Sequence, residues 1–383
     1  MSARRFVMVA GETSGDLLAA DVLDGLHARV TDVAAAGIGG RAMAERGFEQ
    51  WWSTDELSVR GYVEVLRAYP RLLRMRSQLF ERVLQWRPDV FDGVDAPDFN
   101  LDLEVRLRQR GVKVAHFISP SIWAWRRERI HRIREAVDHM LLVFPFEREI
   151  YREAGIPATY VGHPLADRIP MQTDARAART ALALDPDRAT VALLPGSRPS
   201  EVHYMGRVFV ETAAWMHGRR GDLQFVLPAA GAALFERLQA MIAGLPLPPG
   251  LRLTLVQGRS HEVLAAADVV LVASGTATLE TALFRRPMVV AYRMAWLTYR
   301  LMRNKGYLPW IGLPNILAHA SLVPEFIQDA AQPDAMGAAL LAQLDDAPLR
   351  ARLAERFEAM HHELRCDCPQ RAAEVLLSMG GAQ

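Results

Sequence analysis

The fold of this chain is decided by the stretch Thr190-Val191-Ala192-Leu193-Leu194-Pro195-Gly196-Ser197-Arg198-Pro199-Ser200-Glu201. Residues 190–194 are aliphatic or β-branched and do not alternate with polar residues, which predicts a strand buried on both faces. Pro195 and Gly196 end this strand, and the residues after Pro199 have the spacing of a helix. A buried strand that passes through a small-residue turn into a helix is the repeating unit of a parallel α/β sheet.

The turn at Gly196, Ser197 and Arg198 also has the features of an anion site. The start of a helix leaves backbone N–H groups free and carries the positive end of the helix dipole. Arg198 adds a permanent charge on a planar group that suits phosphate. The alternative is an ordinary strand-to-helix loop with a solvated arginine, and this motif alone leaves both interpretations open.

Further strand-like runs alternate with helix-length segments on both sides of this stretch. They lie at residues 6–10, 33–38, 89–94, 112–118 and 140–144, and then at 190–194, 223–227, 251–256, 269–273 and 288–291. This alternation predicts an α/β protein with two doubly wound, Rossmann-like domains that face a cleft, with ligands at the carboxyl ends of the strands. We expect an N-terminal domain at 1–165, a C-terminal domain at 166–345, and helices at 346–383 that pack back across the junction.

The composition limits the classes of partner. The 383 residues include 45 basic and 44 acidic groups, and the net charge of +1 gives no support to a nucleic-acid partner. Cys366 and Cys368 form neither a disulfide framework nor a zinc site, so we expect a reducing, cytosolic compartment. No apolar run reaches the roughly 18 residues that a membrane span requires.

A glycine-punctuated turn, Gly11-Glu12-Thr13-Ser14-Gly15-Asp16, follows the first predicted strand. Its glycines allow a ligand to approach the backbone, while Ser14 or Asp16 could simply cap the next helix. The glycine spacing differs from the dinucleotide fingerprint, so we infer no nicotinamide cofactor. Asp185-Pro186-Asp187 is the only Asp-x-Asp motif and lies before a strand, so we expect no metal and no other cofactor.

The strand predicted at residues 89–94 runs into a cluster of acids. Asp92 could be a solvated strand residue, and Asp98 or Asn100 could cap the helix that follows. Asp95 has no comparable structural role, and it lies at the carboxyl end of the strand, where a parallel sheet presents its catalytic groups. Asp95 is therefore the candidate general base.

A third post-strand turn, Ser274-Gly275-Thr276, opens a predicted helix that contains Glu280. Small hydroxyl residues at a helix start can hold a diphosphate, and a carboxylate roughly one and a half turns further on can accept both hydroxyls of a ribose. The alternative is a capped helix with Glu280 in solvent. Asn315 and Gln328 place amide side chains in later loops near the same edge.

Residues 62–73 have an apolar helical face with arginines beside it. Such a stretch can pack into a core or lie on an anionic membrane, and Pro70 argues against a single long helix.

A series of motifs, in this order along the chain, resembles the lipid-A-disaccharide synthase family. They are Gly11-Glu12-Thr13-Ser14-Gly15-Asp16, Asp95-Ala96-Pro97-Asp98-Phe99-Asn100, Ser119-Pro120-Ser121-Ile122-Trp123-Ala124-Trp125-Arg126, Leu194-Pro195-Gly196-Ser197-Arg198, Ala273-Ser274-Gly275-Thr276-Ala277-Thr278-Leu279-Glu280 and Leu313-Pro314-Asn315. The resemblance implies the two-domain GT-B glycosyltransferase fold. It also implies an inverting transfer of 2,3-diacylglucosamine from UDP to the 6-hydroxyl of 2,3-diacylglucosamine 1-phosphate, at the cytoplasmic face of the inner membrane.

The resemblance also implies roles for individual residues. Asp95 becomes the catalytic acid–base and Arg198 a diphosphate ligand, both counted as catalytic. The expected substrate-binding residues are Ser14, Gly15, Gly196, Ser197, Ser274, Gly275, Thr276, Glu280, Asn315 and Gln328. The expected membrane-facing side chains are Val63, Val65, Leu66, Tyr69, Leu72 and Leu73. A homodimer is left open.

Two alternatives to the synthase remain at this stage. A UDP-sugar 2-epimerase on the same fold would need no acceptor and no membrane surface. A nucleotide-sugar-binding regulator would need no catalytic base, so the position of Asp95 argues against it.

Overall fold

The computed structural model describes residues 3–57, 62–303 and 305–381, and of residues 62–68 and 297 the backbone alone. Its strands are β1 (Arg4–Ala10), β2 (Val33–Gly39), β3 (Glu49–Ser53), β4 (Val90–Val94), β5 (Val114–Phe117), β6 (His139–Leu142), β7 (Ala158–Tyr160), β8 (Thr190–Leu194), β9 (Gln224–Ala229), β10 (Leu253–Gln257), β11 (Val269–Ala273), β12 (Met288–Tyr292) and β13 (Glu325–Ile327).

Helices fill most of the connections between these strands. They are α1 (Thr13–His27), α2 (Arg41–Ala44), α3 (Thr54–Leu57), α4 (Tyr62–Trp86), α5 (Pro97–Arg108), α6 (Arg129–Ala136), α7 (Glu147–Glu153), α8 (Pro164–Arg168), α9 (Ala175–Ala181), α10 (Pro199–His217), α11 (Ala232–Ala243), α12 (Ser260–Ala266), α13 (Thr276–Leu283), α14 (Trp296–Met302), α15 (Leu313–Ala318), α16 (Pro333–Asp345), α17 (Ala347–Leu364) and α18 (Cys368–Met379), with a short 3₁₀ turn at Gln328–Ala330.

The strands form two parallel sheets. The first has the order β3-β2-β1-β4-β5-β6-β7, and the second has the order β10-β9-β8-β11-β12-β13. Neighbouring strands are parallel in both sheets, as in β1 with β4 and β8 with β11. The prediction of an α/β protein with two doubly wound parallel sheets is confirmed.

Strands β3, β7 and β13 were not predicted from the sequence, although each of the ten strand-like runs overlaps a strand. These three strands lie at sheet edges, and β7 and β13 contain three residues each. Edge strands are commonly short, and they lack the continuous apolar run of a strand buried on both faces. The inner strands β4, β8 and β11 are buried at every position, which is why their sequences revealed them.

The chain divides into two compact units, which are described separately. The first unit comprises Met1–Asp167 and Leu364–Gln383, and the second comprises Arg168–Glu363. Helix α18 packs on α1 in the first unit, where a Cβ on Gly25 would lie 2.9 Å from the carbonyl oxygen of Pro369. Helix α17 belongs almost entirely to the second unit. The segment at 346–383 is therefore divided between the two units.

Pro70 does not break its helix, which corrects the sequence-based expectation. Helix α4 continues through Pro70 as one helix of 25 residues. Proline removes one backbone hydrogen bond, at a cost of about 3 kcal/mol in a helix interior. The later half of α4 offsets this cost because Met75, Leu79 and Val83 are buried in the core of the first unit. None of the described helices is both long enough and apolar enough to cross a membrane.

Candidate functional site

The second unit contains a cavity of about 350 Å³ at the carboxyl ends of its strands. The loops after β8, β9, β10 and β11 all contribute to it. Its lining includes Gly196, Ser197, Arg198, Glu201, Pro228, Ala229, Ala230, Gly258, Ser260, Ser274, Gly275, Thr276, Ala277 and Glu280. The volume lies at the lower end of the range for small-molecule sites. Most of the substrate-binding residues predicted in this half therefore lie together.

The sheet topology explains why these loops converge. Chain order reverses between β8 and β11, which are neighbours in the sheet but not in sequence. The connections after these two strands leave in opposite directions and open a crevice at the carboxyl edge, where α/β sheets bind ligands. The turns at 196–198 and 274–276 follow these two strands.

Glu201 organises the first of these turns. Its Oε2 accepts hydrogen bonds from the backbone N–H of Ser197 at 2.9 Å and of Arg198 at 3.1 Å. Gly196 has φ +116, and a Cβ at this position would lie 2.4 Å from the Glu201 carboxylate. Only glycine fits there without displacing the carboxylate. The sequence analysis missed Glu201, although a glutamate three residues after a helix cap is a recognisable capping pattern.

Arg198 presents its guanidinium at this cavity. The side chain is 77% exposed, and its Nη1 lies 3.2 Å from Oε1 of Glu201. The ion pair is solvated, so it contributes little to stability. It does orient the guanidinium and leaves most of its N–H donors available. Because Glu201 already accepts from the backbone N–H groups of Ser197 and Arg198, the Arg198 side chain is the stronger anion ligand of this turn.

The turn after β11 forms the opposite side of the cavity. Gly275 has φ +128 and precedes the first residue of α13, Thr276. The Ser274 hydroxyl donates to the carbonyl oxygen of Ile311 at 2.9 Å, so it anchors a later loop. The Glu280 side chain is about one-fifth exposed and lies 3.9 Å from Nε2 of His261. Thr276 and Glu280 remain directed to the cavity that they line.

Asn315 and Gln328 hold loops in place. Asn315 is fully buried, its Nδ2 donates to the Val323 carbonyl and to Glu325, and its Oδ1 accepts from the N–H groups of Leu322 and Val323. The amide of Gln328 exchanges two hydrogen bonds with the backbone of Met294. Both residues therefore position neighbouring segments, which differs from the direct substrate contact expected from the sequence.

A larger cavity of about 650 Å³ lies at the opposite, amino edge of the same sheet. Arginines line much of it, but they are engaged within the unit. Arg179 pairs with Asp268 at 2.7 Å, Arg286 donates to the carbonyl oxygens of Leu264 and Ala265, and Arg285 pairs with Glu358. These contacts connect the amino ends of the strands to the neighbouring helices. The smaller cavity is therefore the better ligand site.

In the first unit, Asp95 lies at the corresponding edge, directly after β4. Its backbone N–H donates to the carbonyl oxygen of Phe117 at 2.8 Å, and its own carbonyl oxygen accepts from Nδ2 of Asn100 at 2.8 Å. Asp95 and Ala96 both have positive φ, at 55 and 47, a conformation that non-glycine residues adopt at a cost. Neighbouring groups thus hold Asp95 in a strained turn, as is common at functional sites.

The electrostatic surroundings of Asp95 suit a base. Burial raises the pKa of Asp95 above its ordinary value, and the nearby charge of Glu12 adds to this, while His116 and the Ala96 backbone act in the opposite direction. A Cβ on Gly11 would lie 2.4 Å from Cβ of Ala96, so the turn after β1 touches the turn after β4. These turns follow β1 and β4, between which the order of the first sheet reverses.

A buried polar cluster that the sequence analysis missed lies near Asp95. Nδ1 of His116 is 2.7 Å from Oε1 of Glu104, and both side chains are fully buried. Burial opposes charge on this imidazole, but the carboxylates of Glu104, Asp92 and Asp95 raise its pKa. Asp92 is fully buried and not a solvated strand residue, and its burial raises its pKa to about 7. The sequence did contain a signal for this cluster, namely a histidine in a predicted strand that follows a helix containing a glutamate.

A carboxylate of α1 organises the turn after β2, and the turn after β1 contains two of the predicted site residues. Asp16 lies inside α1 and caps α2, because its carboxylate accepts from the N–H groups of Gly40 at 2.7 Å and Ala42 at 3.0 Å. The exposed Ser14 hydroxyl donates to Oε1 of Glu12 at 2.6 Å. Gly15 is buried against Ala10, where a Cβ would make ordinary contacts. Ser14 therefore faces the same edge as Asp95, while Gly15 serves packing.

The stretch expected to face a membrane lies on the first part of α4. The side chains of Val63, Val65 and Leu66 lie outside the described part of the chain. Tyr69 is 56% exposed and Leu73 is 37% exposed, while Leu72 is half-buried. Within the described residues, this end of α4 thus presents large apolar side chains to solvent.

Comparison with known proteins identifies the family. The sequence profile described as Lipid-A-disaccharide synthetase matches residues 6–376. The chain belongs to the lipid-A-disaccharide synthase family. It is 54% identical to the lipid-A-disaccharide synthase of Thiobacillus denitrificans over 369 residues, covering 96% of this chain and 98% of the relative. It is 49% identical to the Pseudomonas aeruginosa protein of the same name, over 98% of each chain.

Solved structures of low sequence identity share the fold of this lipid-A-disaccharide synthase family member. Acinetobacter baumannii MurG is 13% identical with a TM-score of 0.60, covering 98% of this chain and 99% of that one. A UDP-GlcNAc 2-epimerase from Neisseria meningitidis is 11% identical with a TM-score of 0.62, covering 98% of each chain. These likenesses confirm the predicted GT-B fold and, at such low identity, nothing beyond it.

Proposed function

We propose that this protein is the inverting glycosyltransferase that moves 2,3-diacylglucosamine from UDP to the 6-hydroxyl of 2,3-diacylglucosamine 1-phosphate. The products are UDP and the β(1→6)-linked disaccharide 1-phosphate. The observation that carries the proposal is the family match over residues 6–376, which includes every candidate site residue from Ser14 to Gln328.

The cavity in the second unit supports binding of the UDP part of the donor. Arg198 supplies a cation with free donors, and the turn at 274–276 supplies the start of α13. Charge that develops on the leaving diphosphate would be stabilised by these preorganised groups. Glu280, on the first turns of α13, is suited to accept the ribose hydroxyls.

Asp95 is the proposed base. The 6-hydroxyl oxygen of the acceptor forms a bond to C1 of the donor sugar while the bond from C1 to the β-phosphate oxygen breaks. The electron pair of the broken bond leaves with UDP, and the hydroxyl proton passes to the Asp95 carboxylate. One displacement inverts the α-linked donor to a β-linked product. A partly buried carboxylate with a raised pKa is a better proton acceptor than a solvated one.

The acyl chains of both substrates place the proposed reaction at a membrane. We propose that the exposed apolar side chains near Tyr69 and Leu73 contact the anionic inner face of the inner membrane. The arginines of the same helix, Arg71 and Arg74, would lie among the lipid headgroups. A homodimer is compatible with this proposal and is not required by it.

Mass spectrometry of the product tests the proposal. Purified protein is incubated with UDP-2,3-diacylglucosamine and 2,3-diacylglucosamine 1-phosphate in detergent, and the expected product has the mass of the disaccharide 1-phosphate. A parallel reaction without the acceptor tests for an epimerase, because only an epimerase converts a UDP-sugar alone. Conversion without acceptor, or UDP binding without any product, would contradict the proposal.

A further inference from the structure

A second apolar and basic surface lies on the second unit, around α14. We define the α14 surface by the side chains of Trp296, Arg300, Leu301, Arg303, Lys305 and Tyr307. Trp296 is 65% exposed, Leu301 is 61% exposed and Tyr307 is 54% exposed. Large exposed apolar side chains grouped in one short segment of a folded protein are typical of an interaction site.

The charged residues of the segment that forms the α14 surface all have one sign. The sequence contains no Asp or Glu between Glu280 and Glu325, although it contains several arginines and Lys305. Arg300 stacks over the Trp296 ring with its guanidinium carbon 4.8 Å from the ring centroid. Among the residues that the structure describes, neither Arg300, Arg303 nor Lys305 lies in an ion pair.

Other arginines of the same acid-free stretch behave differently. Arg285 pairs with Glu358, and Arg286 donates to the carbonyl oxygens of Leu264 and Ala265. Arg293 donates to the carbonyl oxygens of Gln328 and Ala331. These three arginines stabilise the unit, whereas the basic residues of the α14 surface extend into solvent. Among the described side chains, no ion pair neutralises the basic residues of this surface.

The α14 surface is fixed to the second sheet. Met294, which precedes α14, exchanges two backbone hydrogen bonds with the side chain of Gln328, at 2.8 and 3.1 Å. The Arg293 side chain donates to the carbonyl oxygen of Gln328 in the same turn. These hydrogen bonds explain why the Gln328 side chain is half-buried. They also fix the start of α14 relative to the second sheet.

We propose that the α14 surface docks on the headgroup region of a bilayer that contains anionic lipids. The proposal rests on the proposed function, because acylated substrates must be collected from such a bilayer. It assigns a membrane contact to the second unit, separate from the one that α4 provides on the first.

Charge complementarity selects this occupant over a protein partner. An exposed tryptophan and leucine beside arginines and a lysine form the amphipathic composition of helices that lie in a membrane interface. The basic groups face the negative surface potential of the lipid, and each adds to the attraction. An apolar protein groove would not require this many unpaired cations.

Tryptophan quenching tests where the chain meets the lipid. The full-length protein is mixed with phosphatidylglycerol and phosphatidylethanolamine vesicles whose acyl chains carry bromine, which quenches tryptophan only by close approach. We expect Trp296→Phe to remove part of the quenching. The matched control is Trp215→Phe, because Trp215 is half-buried in the same unit under Arg219 at 3.5 Å. Equal quenching in wild type and Trp296→Phe would overturn the proposal.

Vesicle flotation tests the charges. We expect Arg300→Gln with Arg303→Gln to weaken binding to anionic vesicles by roughly fivefold for each charge. The control is Arg352→Gln with Arg356→Gln, which removes two exposed charges from α17 of the same unit. An affinity that does not change, or that changes equally in the control, would contradict the assignment.

A third variant separates this proposal from the proposed function. Trp296→Ser with Leu301→Ser should weaken vesicle binding, because only the contact made by α4 remains, and should retain normal turnover when both substrates are dispersed in detergent micelles. If this variant instead changes the sedimentation coefficient and leaves vesicle binding intact, the surface binds a second copy and the membrane proposal is wrong. Failure of the proposed function would appear differently, as wild-type protein that forms no disaccharide in detergent.

Discussion

Nδ1 of His116 and Oε1 of Glu104 lie 2.7 Å apart, and both side chains are fully buried in the first unit. Strand β5, which carries His116, is adjacent to β4, and Asp95 directly follows β4. A Cβ on Gly93 would lie 2.0 Å from Oε1 of Glu104 and 3.0 Å from Nδ1 of His116, so glycine leaves the space that this pair occupies. The pair therefore places close to the proposed base an imidazole whose pKa the neighbouring carboxylates raise, and the positive charge of its protonated form lowers the pKa of Asp95.

Replacing the carboxylate of Asp95 tests its role as the base. We expect Asp95→Asn to lower turnover by about 10²- to 10⁴-fold, because the amide cannot accept the hydroxyl proton. The affinity for UDP, measured by calorimetry, should remain unchanged. The control is Asp98→Asn, since Asp98 is exposed and pairs with Arg129 at 2.6 Å. Near-normal turnover of Asp95→Asn would remove this residue from the mechanism.

The His116 charge should set the acidic limb of the pH–rate profile. Asp95 must be ionised to act, so kcat/KM should rise with pH through its raised pKa. The positive charge of His116 lowers the pKa of Asp95. His116→Gln removes that charge, so the acidic limb should move to higher pH.

Two further variants check this explanation. Glu104→Gln removes a carboxylate that raises the pKa of His116, so it should move the limb in the same direction. His139→Gln is the matched control, because His139 is half-buried in the same sheet and its burial lowers its pKa. The explanation fails if the limb does not move in His116→Gln protein whose near-ultraviolet circular dichroism is native.

Removal of the Arg198 guanidinium should weaken UDP binding. Charge-assisted hydrogen bonds contribute about 1.5–3 kcal/mol each, so we expect Arg198→Ala to raise the Kd for UDP by roughly 10- to 100-fold. Arg198→Lys should recover part of the affinity, because it retains the charge but loses the planar fork. Arg207→Ala is the control, since Arg207 is an exposed arginine of the same helix that pairs with Glu211. Unchanged affinity in Arg198→Ala would contradict the assignment.

Glu147 should make stability depend on pH. Its burial raises its pKa from 4.5 to about 8, although it accepts a hydrogen bond from the Phe144 N–H. The folded state therefore holds a proton that the unfolded state releases between pH 4.5 and 8. The free energy of unfolding should therefore fall as the pH rises through this window, by up to about 1.4 kcal/mol per pH unit. The contribution of Glu147 to stability should be greatest below pH 4.5.

Urea denaturation at pH 6 and at pH 8.5 measures this dependence. Glu147→Gln cannot ionise and should lose most of the fall in unfolding free energy seen in the wild type. Glu149→Gln on the same helix is the control, because Glu149 is exposed and the hydrogen bond from Arg152 lowers its pKa. A wild-type protein with equal stability at both pH values would show that Glu147 is ionised in the folded state.

Several parts of the site could be predicted because their signals are local. The apolar run of β8 and the glycine turn after it are readable within a few residues, and a strand followed by a turn and a helix implies a carboxyl-edge site. Asp95 and Arg198 were found in this way, as the charged residues just after buried strands. Glu201 was equally local, three residues beyond Arg198, but its contact with the turn was not anticipated.

The remaining roles depend on pairs of residues that are distant in sequence. Asp16 caps α2 across 24 residues, and Asn315 holds a loop with its amide directed away from solvent. Neither orientation follows from residue type, because a polar side chain can be buried or exposed and the residue type is the same in both cases.

Two doubly wound parallel sheets, the turns at their carboxyl edges and the family could all be predicted from the order of residues alone. These properties follow from the period of apolar residues and from turn chemistry, which act over a few neighbouring positions. Only the tertiary structure decided that Asp92 is buried, that His116 meets Glu104, and that Trp296 remains in solvent. Burial is set by which helices cover a strand, and that depends on packing between segments far apart in the chain.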